Sequence, residues 1–357
     1  LPGYGKASFD LSGDAGKRSV VLLNTAEGQA LLAERLLPVT AYNFRDLGGI
    51  KNKEGKFVRW GKFFQIMFSE VYAKRKENGQ EIPCPGELYY RGYNVKELTK
   101  GFLDEDRFGF EEVAYLLLFG ELPGKHDLEE FFAELGERRQ LPQNFFRDVI
   151  MKAPAENLMI SLSKSILTLY SYDDAAEDTS FQNVMRQCLN LISQFPMLAV
   201  YSYNAYSHSV GNSLYIHPPK MELSTAENIL TMLRPDQSYS KVEAKVLDLA
   251  LILHMEHGGG NNSSFTTRVV TSSGTDTYSV MAAALGSLKG PRHGGANIKV
   301  MQMFEDMKRE LTRWDDENQI VDYLRGILNK VRFDHTGLIY GIGHAVYSIS
   351  DPRAEIF

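Results

Sequence analysis

From residue 95 onward the chain is a succession of apolar runs at helical spacing, each closed by Gly, Pro or Asp, and no repeated alternation of apolar and polar residues interrupts it. The segment FGFEEVAYLLLFGELP (108–123) shows the pattern. Its apolar residues recur every three or four positions, Glu111 and Glu112 lie in the first turn, and Gly120 followed by Pro123 ends the run. HDLEEFFAELGERRQ, PQNFFRDVIMKAP, NLMISLSKSILTLYSY and the spans 181–202, 226–233 and 240–254 repeat that logic, with charged residues on the outward face. Such a chain buries its apolar stripes by packing helix on helix. Upstream, 25–37 predicts a short helix, and 43–90 predicts turns and small strands, KFVRW among them. GELYYRGYNVKEL predicts a hairpin that runs into a helix. The expected class is therefore all-α with a few short N-terminal strands.

Length and composition narrow the function classes. With 357 residues, 43% of them hydrophobic, the chain can build two packed regions. A net charge of -6 and the lack of a basic tract argue against an extended nucleic-acid or anionic-membrane surface. No run approaches the ~18 apolar residues of a membrane span, and the opening LPGYGKASFDLSGDAGKRS has no signal-peptide pattern, so a soluble, cytoplasmic protein is expected. Cys84 and Cys188, without CxxC spacing, offer neither a disulfide framework nor a zinc cage. The chain begins without Met and stops at DPRAEIF, inside what reads as an active segment, so continuation at one or both ends is expected.

The chemistry concentrates in 253–297 and in the closing GIGHAVYSISDPRAEIF, two blocks that set histidine beside glycine. The polar cluster Asn261, Asn262, Ser263, Ser264, Thr266 and Thr267 is suited to cap a helix and to offer donors to a ligand. The small residues Ala282, Ala283, Ala284, Gly286 and Ser287 permit close helix packing, and the turn GPRHGGAN starts a further helix whose N–H groups suit phosphate. That turn matches neither GxxxxGK[ST] nor GxGxxG. His254 and His257 in HMEH share a helical face but lack HExxH spacing and a third ligand, which argues against zinc. No GxSxG elbow supports a serine nucleophile. His126, His208, His217 and His335 read as surface or satisfied core residues.

Taken together, EHGGGNNSSFTTRVVTSSGTD, GPRHGGAN and GHAVYSISDPRA, preceded by YRGYNVKEL and FEEVAYLLLFGELP, resemble the citrate synthase family over roughly residues 86–357. The resemblance implies a two-domain helical fold, with a large domain over 1–256 and a small domain over 257–357, working as a homodimer with shared sites. It implies condensation of acetyl-CoA with oxaloacetate to citrate and free CoA through an enol or enolate and thioester hydrolysis, with no metal and no cofactor, acetyl-CoA being a co-substrate. By position, His257 resembles the histidine that donates to the thioester oxygen as charge develops there. His344 resembles the one that polarises the oxaloacetate carbonyl, and Arg353 the arginine that grips a substrate carboxylate. Gly290, His293, Gly294, Gly295 and Asn297, with Leu338, Gly341 and Gly343, match segments that line the CoA site.

Departures from the family pattern are visible too. The family's catalytic aspartate and further arginines lie beyond the position where this chain ends, and Asp351, within DPR, reads as structural. Ser348 stands where many members carry a basic residue near the CoA phosphates. His217 is only a distant counterpart of a further oxaloacetate-binding histidine. Besides citrate synthase, the sequence leaves open a 2-methylcitrate synthase acting on propionyl-CoA and an inactive CoA-binding relative.

Overall fold

The computed structural model describes residues 50–51, 57–59, 69–77, 80–256, 261–343 and 347–357; the helix expected over 25–37 lies outside them. Strands β1 (Ile50–Lys51) and β2 (Phe57–Arg59) pair antiparallel. Strands β3 (Ser69–Glu77), β4 (Gln80–Tyr90) and β5 (Tyr93–Asn94) form a second antiparallel sheet in that order. At nine and eleven residues, β3 and β4 are longer than the small strands expected. Their register shifts between Tyr72 and Lys74, which pair with Glu87 and Pro83. Pro83 and Pro85 bring no ladder N–H, so the irregularity falls where β4 has least to lose. The expected hairpin is present: Arg91 and Gly92, at φ 50 and 88, are both left-handed, as a two-residue turn matching strand twist requires.

Asn94 closes that hairpin, and its side chain accepts from the Lys96 N–H (2.9 Å), capping α1 (Val95–Asp104). After it come α2 (Phe110–Phe119), stopped by left-handed Gly120, and α3 (Lys125–Glu137). The segment expected as a helix over 142–154 makes a π turn at Phe146–Ile150. Then follow α4 (Leu158–Leu169), α5 (Phe181–Ser209), α6 (Thr225–Leu233) and α7 (Lys241–His254). Ser224 with Glu227 and Ser240 with Glu243 form reciprocal capping boxes on α6 and α7, each cap being worth about 1 kcal/mol. The chain ends with α8 (Asn262–Thr271), α9 (Thr277–Leu288), α10 (Ala296–Glu310), α11 (Glu317–Leu328) and α12 (Pro352–Ile356).

Apolar side chains gather in four clusters. The first joins Phe145, Leu162, Ile166, Leu198, Tyr201 and Met232 to Tyr278, Ala282 and Leu285 of α9. The second packs Leu88 and Tyr90 of β4 with α1, α2 and α7, and the third joins α2, α3 and α5. The fourth holds Met303, Met307, Leu311, Tyr323 and Ile327 of the α10–α11 region, with Phe333, Ile339 and Tyr340 against them. Helix α9 packs into the first cluster with α4 and α5, where Ala282 and its small neighbours let it approach closely, and also lies against α8, while the α10–α11 region keeps a core of its own. The tail also returns, with Ile356 resting on the second cluster.

Buried charge ties these layers. Glu111 of α2 accepts from the Thr225 N–H at the start of α6 (2.8 Å) and faces Arg139 at 3.5 Å, both side chains being buried. Asp248 of α7 is 3% exposed and accepts from the N–H groups of Gly109 (2.7 Å) and Phe110 (3.1 Å), where α2 begins. Burial pushes its carboxyl up to about 7; the two backbone donors pull the other way and the charge of Glu111 adds to the rise. A carboxyl whose pKa is higher folded than unfolded binds more protons in the native state. It therefore stabilises below about pH 4, and that contribution is lost as pH rises to about 7, by at most about 1.4 kcal/mol per pH unit. Asp248→Asn should flatten the fall in thermal midpoint between pH 4 and 7. An unchanged slope would place the pH dependence elsewhere.

Candidate active site

Two stretches distant in sequence meet at the end of β4. The phenol of Tyr90, fully buried, donates to the Ile252 carbonyl in the last turn of α7 (3.0 Å), and its oxygen is met by the backbone N–H of Glu256. Burial pushes this phenol well above its ordinary range. The charges of Glu256 on one side and Arg353 on the other both act on it. Four residues earlier, the Gly86 N–H reaches both the backbone oxygen (3.1 Å) and the hydroxyl (3.2 Å) of Ser350. The contact requires glycine: a Cβ at 86 would lie 2.2 Å from Ser350 O and 2.6 Å from the Tyr347 ring. Lys96 of α1 pairs with Glu355 of α12, and Tyr347 is buried. The residue before His257 and the segment after His344 thus share one neighbourhood. His257 and His344 themselves lie outside the described residues.

Within the tail, Asp351 accepts from the Arg353 N–H (2.9 Å), capping α12, and takes Nε (3.0 Å) and Nη2 (2.7 Å) of the same guanidinium. Its structural reading stands, and it sets the plane in which Arg353 is presented. Two further arginines belong here. Arg91 donates through Nε (3.2 Å) and Nη2 (2.8 Å) to the Leu117 carbonyl, and burial pulls it down to about 10 against the opposing charge of Glu256. Burial likewise lowers Arg268 of α8, again against Glu256. Both remain cations at neutral pH. Arg268 lies inside the block EHGGGNNSSFTTRVVTSSGTD, where the sequence shows it only as a cation in the last turn of a helix that opens with Asn and Ser.

The polar cluster after His257 caps as expected, Asn261 accepting from the Ser264 N–H (2.8 Å) at the start of α8. Ser263 donates its backbone N–H to His293 Nε2 (3.3 Å), with its hydroxyl 2.6 Å from the same nitrogen. Because a backbone N–H can only donate, Nε2 accepts, and a neutral His293 carries its proton on Nδ1. Asn262 adds a bond to Ser287 Oγ (3.0 Å). His293 is thereby engaged between two motifs. Gly294 and Gly295 also have a local reason to be glycine, since a Cβ would lie 2.1 Å from Leu288 O and 2.6 Å from Pro291 O. Gly290 accepts the turn's N–H groups from His293 and Gly294, and Asn297 is exposed at the head of α10. Leu338 is 57% exposed, while Gly341 and Gly343 take left-handed φ of 89 and 91.

The remaining histidines hold local bonds. His217 Nε2 lies 3.1 Å from the Pro235 carbonyl, His208 bonds to Asn212 O and His335 to Lys330 O. Cys84 and Cys188 are unpaired thiols. Among the described residues, no helix is long and apolar enough to cross a membrane, and no three His, Cys, Asp or Glu side chains are grouped to hold a metal ion.

Fold and site define a helical protein whose two histidine–glycine blocks are drawn together at the end of one strand. Residues 65–357 match the family model described as citrate synthase, C-terminal domain, and the chain belongs to the citrate synthase family. Relatives include a 2-methylcitrate synthase of Shewanella oneidensis, 34% identical over 75% of this chain, and a citrate synthase of Synechocystis sp., 33% identical over 76%. The matches span 64% and 62% of those proteins, so the chain covers under two thirds of their length. The crystal structure of citrate synthase from Pyrobaculum aerophilum superposes with a TM-score of 0.61 at 28% identity, over 76% of this chain and 63% of that one.

Gly86→Ala tests the tie between β4 and the tail. The added Cβ meets backbone, which cannot swing aside, so a loss of about 1–3 kcal/mol is expected, with faster proteolysis near residue 350. A thermal midpoint equal to wild type would show that the tail does not depend on this contact.

Proposed function

We propose that the protein condenses acetyl-CoA with oxaloacetate and water to give citrate and free CoA. The observation that carries the reading is the meeting of Glu256, which precedes His257, with Tyr347 and Arg353, which follow His344, around the buried Tyr90. Removal of a proton from the thioester methyl builds negative charge on the thioester oxygen. A neutral His257 donating N–H there stabilises that charge, and it does so best in a site closed to water. His344 polarises the oxaloacetate ketone, the new carbon–carbon bond forms, and water then cleaves the thioester. Arg353, its plane set by Asp351, orients a substrate carboxylate. The segments 290–297 and 338–343 face the acyl-CoA, the region after the GPRHGG turn moves against the rest to close the cleft, and two chains share sites in a cytoplasmic homodimer.

A second reading is favoured by the relative from Shewanella oneidensis: the acyl donor is propionyl-CoA and the product 2-methylcitrate. One methylene alters binding by only about 1–3 kcal/mol, so kcat/KM for the two acyl-CoAs is the deciding measurement.

The first test is release of CoA thiol from acetyl-CoA and oxaloacetate. No release with either acyl-CoA would sink both readings and leave an inactive CoA-binding relative. In an active protein, His257→Ala should lower kcat at least a hundredfold, and Arg353→Lys should raise the KM for oxaloacetate about tenfold; turnover near wild type in the first variant would remove its assigned role.

A further inference from the structure

The loop that leads to His344 is bent in a way its own sequence does not favour. Lys330, Phe333 and His335 sit at φ 60, 54 and 58, and Gly337, Gly341 and Gly343 at 83, 89 and 91. Left-handed backbone is disfavoured for residues with a Cβ and persists where surrounding contacts over-determine it. The surrounding contacts converge on one carboxylate. Asp334 accepts from the Tyr340 hydroxyl (2.7 Å), from Thr336 through Oγ1 (2.8 Å) and N–H (3.2 Å), and from Lys299 Nζ (3.2 Å). Burial opposes ionisation, yet these donors hold the carboxyl well below the usual range.

Lys299 lies on the first turn of α10, directly after the GPRHGG turn. Its Nζ stands 5.7 Å from the Phe333 ring centre and 5.6 Å from that of Tyr340, and the two rings meet edge to face, 6.0 Å apart. The next residue, Val300, touches the same loop, since a Cβ at Gly341 would lie 3.1 Å from its Cγ2. One cation is therefore bonded to the hub of the 333–343 loop while sitting on the helix that the other glycine segment starts.

We infer that Lys299 is a positioning residue that locks the 338–343 segment to the 290–297 turn through Asp334, Phe333 and Tyr340, setting the shape of the acyl-CoA site without contacting the reacting atoms. This rests on the reading of those two segments as facing the acyl-CoA. A lysine that instead binds a CoA phosphate directly makes an opposite prediction for Asp334: neutralising the aspartate leaves such a contact intact or strengthens it.

The experiment compares Lys299→Met, Lys299→Arg, Asp334→Asn and the Met/Asn double variant by steady-state kinetics, with circular dichroism melts as a folding control. Positioning predicts a KM for acetyl-CoA raised about tenfold in both Lys299→Met and Asp334→Asn, no further rise in the double variant, partial rescue in Lys299→Arg, and kcat and the KM for oxaloacetate within about threefold of wild type. A KM for acetyl-CoA within twofold of wild type in a folded Lys299→Met overturns the inference, as does a rise in Lys299→Met with none in Asp334→Asn. If Lys299→Met does not fold, Asp334→Asn and Lys299→Arg decide by the same criterion. If the wild type binds acetyl-CoA by calorimetry but shows no turnover, the condensation reading fails, and the same series read as Kd still decides this one. A wild type that does not bind acetyl-CoA removes both.

Discussion

One backbone N–H, that of Gly86, joins positions 264 residues apart in sequence. Bonding Ser350 there fixes where the chain's last described segment lies, and the rest of the candidate site depends on it. The sheet is built for this exchange. Pro83 and Pro85 have no N–H to give a neighbouring strand, the register shifts alongside them, and glycine is the residue that lets the tail's backbone come within reach. Four residues on, Tyr90 closes the same joint from the other side by bonding the last turn of α7. Neither contact is large, a hydrogen bond netting about 1 kcal/mol. Their effect is geometric, because together they leave Glu256 and Arg353 acting on one buried phenol.

Most of the helical architecture could be read from the chain, since its signals are local. Asn94, Ser224, Ser240, Asn261 and Asp276 each accept a backbone N–H at the start of a helix, and all but Asn261 stand just before an apolar run at helical period. The signal fails where tertiary contacts take over. Helix α5 runs seven residues past Ser202, through a Tyr- and Ser-rich stretch with little apolar periodicity, because Asn204 bonds the Tyr215 and Met232 carbonyls and Ala205 is buried. It also runs through Pro196, which has no N–H to offer the preceding turn, and packing on both sides compensates for the missing bond.

The site was legible in its motifs but not in its joints. The sequence marks both histidine–glycine blocks, yet nothing local says that Gly86 is the surface on which the second block rests, or that Ser263 and His293 meet. Helix α9 follows the first block closely. Its small side chains let it lie against both α8 and α4, with Ala282 inside the first cluster. The separately packed unit is the one whose core is Met303, Met307 and Tyr323.

The charges within the motifs add a constraint that their spacing does not show. Among the described residues, Glu256 acts on Arg91, on Arg268 and on Tyr90, and Arg353, paired with Asp351, acts on the same phenol. Desolvation lowers Arg91 to about 10, which still leaves it protonated at neutral pH. Two unit charges 4 Å apart interact by ~1 kcal/mol in water and by ~4 kcal/mol at the effective dielectric of a partly buried site. The same guanidiniums spread on the surface would therefore attract an anion weakly, whereas half-buried beside a closed strand end they favour one strongly. Arg91 spends two donors on the Leu117 carbonyl and acts as a fixed charge rather than a fork, while Arg353, its plane set by Asp351, is the one placed to give direction as well as charge.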